Sequence, residues 1–222
     1  MSGTGDENSL REEICRVGAS LFARGYAHAT AGNISVRLPD GFLITPTDAC
    51  LGTLDPARLA RLDAGGQQLG GDRASKTLAL HRRIYDSDDG ARCVIHTHST
   101  HLVALTLQGV WSADDIVPPI TPYYVMKVGH VPLIPYHRPG APEAAEQVAR
   151  RIVAARATGS PLRAVMMERL GPNVWHESPA AAMAVLEELE ETAKLWLLGG
   201  RSATPLSESQ IDELRASFGA RW

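Results

Sequence analysis

The run Cys93-Val94-Ile95-His96 carries no acidic or strongly basic residue and is followed one residue on by a second histidine, His98. No other feature constrains the chain as much. A short apolar run of this kind reads as a buried strand, and alternation along a strand sends residues two apart to the same face. His96 and His98 therefore emerge together where the strand ends. Paired imidazoles suit a borderline divalent ion such as zinc, although a catalytic site normally needs a third protein ligand and one open position.

Around that strand, helical and strand-like stretches alternate without a low-complexity linker or internal repeat. Ser9-Leu10-Arg11-Glu12 has a capping-box pattern, and Leu10, Ile14, Val17 and Leu21 recur at helical spacing until Gly25. Strands are predicted over residues 34–37 and 42–45, joined by Pro39-Asp40-Gly41 as an antiparallel hairpin. Helices over 76–85 and 100–107 flank the central strand, and Pro118, Pro119 and Pro122 impose an extended loop. Further strands over 131–134 and 164–168 enclose a helix over 142–155. A last helix over 179–198 opens on Pro179 and stops at Gly199-Gly200. The pattern describes an α/β fold with a mixed sheet covered by helices. Residues 1–8 read as a flexible N-terminus, 9–200 as one domain and 201–222 as a C-terminal tail.

Composition narrows the partners. A chain of 222 residues suffices for a single well-buried domain, and a net charge of -3 offers no footprint for nucleic acid. Cys15, Cys50 and Cys93 are odd in number and form no Cys-x-x-Cys pair, which argues against a disulfide framework and for a cytoplasmic setting. The polar stretch Met1 to Asn8 lacks the apolar core of a signal peptide, and no uncharged apolar run approaches the roughly 18 residues a membrane helix needs. A small molecule is the expected partner.

Several segments then carry a resemblance: Thr30-Ala31-Gly32-Asn33-Ile34-Ser35, Thr45-Pro46-Thr47, Ser75-Lys76, His96-Thr97-His98-Ser99, Thr121-Pro122-Tyr123, Pro135-Tyr136-His137-Arg138-Pro139-Gly140 and Glu187 to Lys194. In this order they resemble the class II aldolase/adducin family, nearest to its 3-oxo-tetronate 4-phosphate decarboxylase branch. The resemblance spans about Leu10 to Gly199. It implies a single α/β/α domain with a largely antiparallel sheet, a cyclic homotetramer with active sites between subunits, and enediolate chemistry on a divalent metal held by three histidines. Zinc is the expected metal, with iron or manganese as alternatives.

Three positions depart from the family pattern. His96 and His98 match two metal ligands, but the family's Asn-His-Gly-Pro segment is here Arg169-Leu170-Gly171-Pro172, and Leu170 cannot bind a metal. Thr77 stands where the family has its acid/base glutamate, and a hydroxyl cannot shuttle a proton near neutrality. Asp48 replaces the glycine of a phosphate loop, adding bulk and repelling charge. These changes imply altered function, on a substrate without a phosphate. Glu168, two residues before Leu170 on a predicted strand, is a substitute metal ligand, as are His137 and His130. Asp48, His28, His101 and His176 complete the set of alternatives. Tyr123 or Tyr124 is a proton-donor candidate and Lys76 a catalytic cation, while Asn33, Thr47, Asp48 and Ser75 occupy substrate-binding positions. Each also has an ordinary structural role open to it, such as capping, core packing or ion pairing. The resulting function is a divergent metal-dependent lyase of decarboxylase or aldolase type acting on a small hydroxy-oxo acid. A non-haem iron oxygenase, isomerase or dehydratase, or a non-catalytic adducin-like protein, are the alternatives on the same scaffold.

Overall fold

A computed structural model describes residues 3–222. The turn at Pro39-Asp40 closes a hairpin between β1 (Asn33–Leu38) and β2 (Gly41–Ile44), with Leu38 opposite Gly41 and Ser35 opposite Ile44. β2 continues into β3 (Ala60–Asp63) and β3 into β4 (Gln68–Gly70), both antiparallel. On its other side β1 pairs with β5 (Cys93–His96), β5 with β8 (Gly171–His176) and β8 with β7 (Ala164–Met167), again antiparallel. Among the described residues only β6 (Leu133–Ile134) joins its neighbour, β7, in parallel. The single eight-stranded sheet runs β4-β3-β2-β1-β5-β8-β7-β6, the expected mixed and largely antiparallel arrangement, with β5 near its centre.

Both faces of a buried central strand must be covered, and two sets of helices cover them. Cys93 and Ile95 of β5 join Ile34, Met166 and Val174 in a core with Ile14, Val17 and Leu21 of α1 (Gly3–Ala23), Leu102 and Leu105 of α3 (Thr100–Gln108), and Leu186 and Leu189 of α5 (Pro179–Leu198). Val94 faces the other way, with Val165, Met167 and Trp175, onto Leu78, Ile84 and Tyr85 of α2 (Leu78–Ser87) and Ala144, Val148 and Ile152 of α4 (Pro142–Ala157). Burying a side chain such as Ile95 completely contributes about 1.5–3 kcal/mol. By the same alternation His96 belongs to the α2/α4 layer. None of the described helices is long and apolar enough to cross a membrane.

The long periodic elements fall close to their predicted bounds, α5 at its predicted limits because Ser178 accepts the Ala181 N–H at 3.1 Å and Pro179 fills the first turn. Four readings are corrected. α1 takes in residues 3–8, so Ser9 lies inside the helix rather than capping it. Residues 201–222 are not a plain tail, since α6 (Glu208–Phe218) starts on a Ser207/Gln210 capping box and ends on left-handed Gly219. The stretch after Pro122 is helical, with a π-turn over Tyr124–Val128, because the prolines precede it and only Pro122 enters its first turn. The fourth concerns β7, which stops at Met167, leaving Glu168, Arg169 and Leu170 in a turn in which the Leu170 N–H reaches the Met167 carbonyl at 3.1 Å.

A candidate metal and substrate site at the end of the central strand

Two glycines bring neighbouring strands tightly around the end of β5. At Gly32, φ is +93° and a Cβ would lie 2.8 Å from the His96 carbonyl oxygen. At Gly171, φ is +133° and a Cβ would lie 1.9 Å from the Thr97 carbonyl oxygen. Only glycine permits both the backbone angle and the approach. Gly171→Ala is therefore expected to cost more than about 2 kcal/mol in urea unfolding; an unchanged midpoint would show that β8 does not press against residue 97.

This crowding fixes His96. Its ring is buried, and Nδ1 donates to the Pro172 carbonyl at 2.8 Å, which leaves Nε2 with its lone pair outward. A backbone carbonyl on the far nitrogen is the usual orienting partner of a metal-bound imidazole. Burial, reinforced by the neighbouring His98 and opposed by the Pro172 hydrogen bond, lowers the His96 pKa to about 4. His98 lies just beyond the strand with its ring 5.1 Å from that of His96, and its pKa is lowered by burial and by His28, 6.2 Å away. Both rings are thus neutral near pH 7, the form that binds metal.

A cavity of about 330 Å³ opens in front of the pair. One wall is the loop after β2, tied down where the Thr47 N–H meets the Arg73 carbonyl at 2.9 Å and the Ser75 N–H meets the Thr45 carbonyl at 3.3 Å. That pinning brings Thr47 and Asp48 alongside Ser75, Lys76 and Thr77 at the start of α2, all lining the cavity. Asp48 holds φ at +57°, so the left-handed backbone that favours glycine persists beneath an exposed carboxylate. Leu170 and Asn173 also line the cavity, as do His137 and Arg138 on the loop entering α4.

Of the predicted residues, the structure brings His96, His98, His137, Asn33, Thr47, Asp48, Ser75 and Lys76 to this cavity. It does not bring Glu168 or His130. Glu168 lies in the turn after β7, so strand alternation no longer relates it to Leu170, and its carboxylate accepts the Tyr136 N–H at 2.8 Å. His130 is bonded to Asp115 at 2.8 Å and its ring lies 4.3 Å from that of Trp222. His101 is likewise held by Glu190 at 2.8 Å. Tyr123 is exposed, whereas Tyr124 is fully buried beside Trp222 and burial raises its pKa well above the usual range. The sequence reading missed Asn173, hidden behind a Gly-Pro pair that signals a turn.

No group of three or more His, Cys, Asp or Glu side chains gathers to hold a metal among the described residues. The donor set present is a pair of neutral imidazoles, one of them oriented from behind. It fits a divalent ion at two coordination positions and leaves the remainder to oxygen atoms of water or a ligand.

The profile of the family described as Class II Aldolase and Adducin N-terminal domain matches residues 12–197. A protein of Cupriavidus necator called 3-oxo-tetronate 4-phosphate decarboxylase is 57% identical over 221 residues, covering 97% of this chain and 99% of its own length. A protein of the same name from Escherichia coli is 44% identical, over 95% and 97% of the two chains. Among solved structures, YgbL from Escherichia coli superposes with a TM-score of 0.86 at 43% identity, covering 94% of this chain and 99% of that one. The L-fuculose-1-phosphate aldolase of Thermus thermophilus gives 0.73 at 28%, over 89% and 98%.

Proposed function

The chain belongs to the class II aldolase and adducin family, and on that premise we propose that it is a divergent lyase that cleaves a carbon-carbon bond of a small hydroxy-oxo acid through an enediolate. The observation that carries this reading is the pair of neutral imidazoles lining a cavity with the polar side chains of Asn33, Thr47, Ser75 and Lys76. In a 3-oxo acid with a hydroxyl on C2, breaking the C1–C2 bond releases carbon dioxide. The electron pair passes to the 3-oxo oxygen as an enediolate, and a proton then returns to C2. A divalent cation, zinc before iron or manganese, would be held by His96 and His98 and would supply Lewis acidity toward that oxygen.

The chain's own groups divide the remaining work. Lys76 offers a cation at the rim, while Asn33, Thr47 and Ser75 offer polar contacts for the acid's oxygens. Thr77, tied to Ser75 at 2.9 Å, cannot move a proton at neutral pH. Tyr124 is sealed in the core, which leaves Tyr123, 60% exposed, to donate into a neighbouring subunit's cavity. A homotetramer would supply that neighbour, and Leu198 and Phe218, 75% and 69% exposed, are apolar surface for it to cover.

The relatives' names specify a 4-phosphate, but Asp48 places a negative charge where a phosphate would approach the loop backbone. The preferred acid is accordingly the unphosphorylated one. The test is carbon dioxide release from four-carbon 3-oxo acids, with and without the terminal phosphate, by protein loaded in turn with zinc, manganese and iron. Turnover should favour the unphosphorylated acid, and Asp48→Gly should move kcat/KM toward the phosphorylated one by about tenfold or more. Failure of both acids to release carbon dioxide with every metal would sink the assignment.

A further inference from the structure

Asn33, His96 and Asn173 lie in one row across three adjacent strands, since His96 is the register partner of Asn33 on β1 and of Asn173 on β8. They share the face that carries Val94 and Trp175. Asn173 is fully buried, yet neither its Oδ1 nor its Nδ2 has a hydrogen-bond partner. Its partner on β7 is Val165, and Trp175 follows on its own strand face, so the local packing calls for an apolar side chain. A bare buried amide is uncommon because both its atoms forfeit water without replacement.

The bare atoms are concentrated here. Of the eight buried side-chain atoms without a partner among the described residues, Asn33 Oδ1, His137 Nε2 and both amide atoms of Asn173 belong to residues lining this cavity. We infer that Asn173 is a ligand-binding residue of the cavity, pairing with a hydroxyl through Oδ1 and with the oxygen of the adjacent hydroxyl or oxo group through Nδ2. The inventory of atoms also selects the ligand. Asn173 has both amide atoms bare whichever way the amide is turned, so one of them is an acceptor that requires a donor, which a phosphate dianion or a carboxylate does not carry. A polyhydroxylated acid satisfies acceptor and donor together. The inference rests on the small-acid reading of the site given above and adds the residue that selects hydroxyl groups within it.

The experiment is calorimetric titration of the purified protein with threonate, which has the hydroxyls but no 3-oxo group to react, and with 4-hydroxybutyrate, which lacks the two internal hydroxyls. Threonate should bind the parent more tightly than 4-hydroxybutyrate does. Asn173→Val should weaken threonate by about 10- to 100-fold, the loss expected for two hydrogen bonds, and leave 4-hydroxybutyrate nearly unchanged. Asn173→Asp, which keeps the acceptor and loses the donor, should also weaken threonate. A second readout separates recognition from structure. Ligand-free Asn173→Val should melt higher than the parent, by roughly 2–6 °C, because an unpaired buried amide has been replaced by an apolar group of similar size that suits a strand. Unchanged threonate binding in Asn173→Val, or a lower melting temperature, would overturn the inference while leaving the lyase reading in place. If the parent binds neither acid, in apo form or metal-loaded, the reading of the site falls and this inference falls with it.

Discussion

Alanine at either His96 or His98 is expected to abolish retention of divalent metal through gel filtration and to lower kcat/KM for the 3-oxo acid by about 10³ or more. Lewis-acid stabilisation of a developing oxyanion is worth several kcal/mol, and each 1.36 kcal/mol is tenfold in rate. His96 and His98 are the two imidazoles that converge at the end of β5, 5.1 Å apart, so the loss of either leaves a single ring there to hold the ion. The two variants should differ in stability. His96→Ala strands the Pro172 carbonyl that its ring now satisfies and should cost about 1–3 kcal/mol in urea unfolding, whereas half-buried His98 has no such partner and should cost less. Leu170 lines the same cavity, and Leu170→His should tighten metal binding by adding a third imidazole. Full metal occupancy in both alanine variants would show that the pair is not the ligand set.

The readable parts of the fold were those whose local pattern and tertiary role agree. α5 announces itself through Ser178, Pro179 and Gly199-Gly200, and all three do in the structure what their chemistry favours. β4 left no pattern to read because all of its residues are exposed at the sheet edge. β8 was masked because Gly171 and Pro172 read as a break, while the actual reason for Gly171 is the approach to residue 97, some seventy positions distant in sequence. α6 is legible in the sequence, since Ser207 and Gln210 carry the capping-box spacing that Ser9 and Glu12 also carry inside α1.

The site divides along the same line. The spacing of His96 and His98 is local, so strand geometry alone places them together. Glu168 lies off the site because β7 ends at Met167, and strand alternation does not extend into a turn where Arg169 takes φ of +62°. His130 finds Asp115 through tertiary packing that no local motif records. Asn173 was invisible for a different reason. A polar residue in a short sequence segment carries no sign that it is buried, and its meaning comes from its register beside His96.

Lowering the pH from 7 to 4 should destabilise the metal-free protein by about 3 kcal/mol through His81 and by a similar amount through His96. His81, on α2, is fully buried with Nδ1 held by Ser35 Oγ at 2.8 Å, and burial, with His96 nearby, lowers its pKa to about 3. Ser35 in turn bonds to the Tyr85 hydroxyl at 2.7 Å, and burial raises the tyrosine pKa, so that group stays neutral throughout the window. In the unfolded chain each histidine takes up a proton near pH 6.5, whereas the folded protein resists until about pH 3 at His81 and about pH 4 at His96. The unfolded state therefore binds more protons than the folded one across this interval, and stability falls as the pH falls. The contribution is fully present above pH 6.5 and is lost progressively below it. Urea midpoints measured at half-unit steps between pH 7 and 4 would record the slope, and His81→Asn, which keeps a polar partner for Ser35 but cannot titrate, should remove about half of it. Parallel curves for the parent and His81→Asn would mean that His81 already carries its proton in the folded protein, which is incompatible with an imidazole sealed between Ser35 and His96.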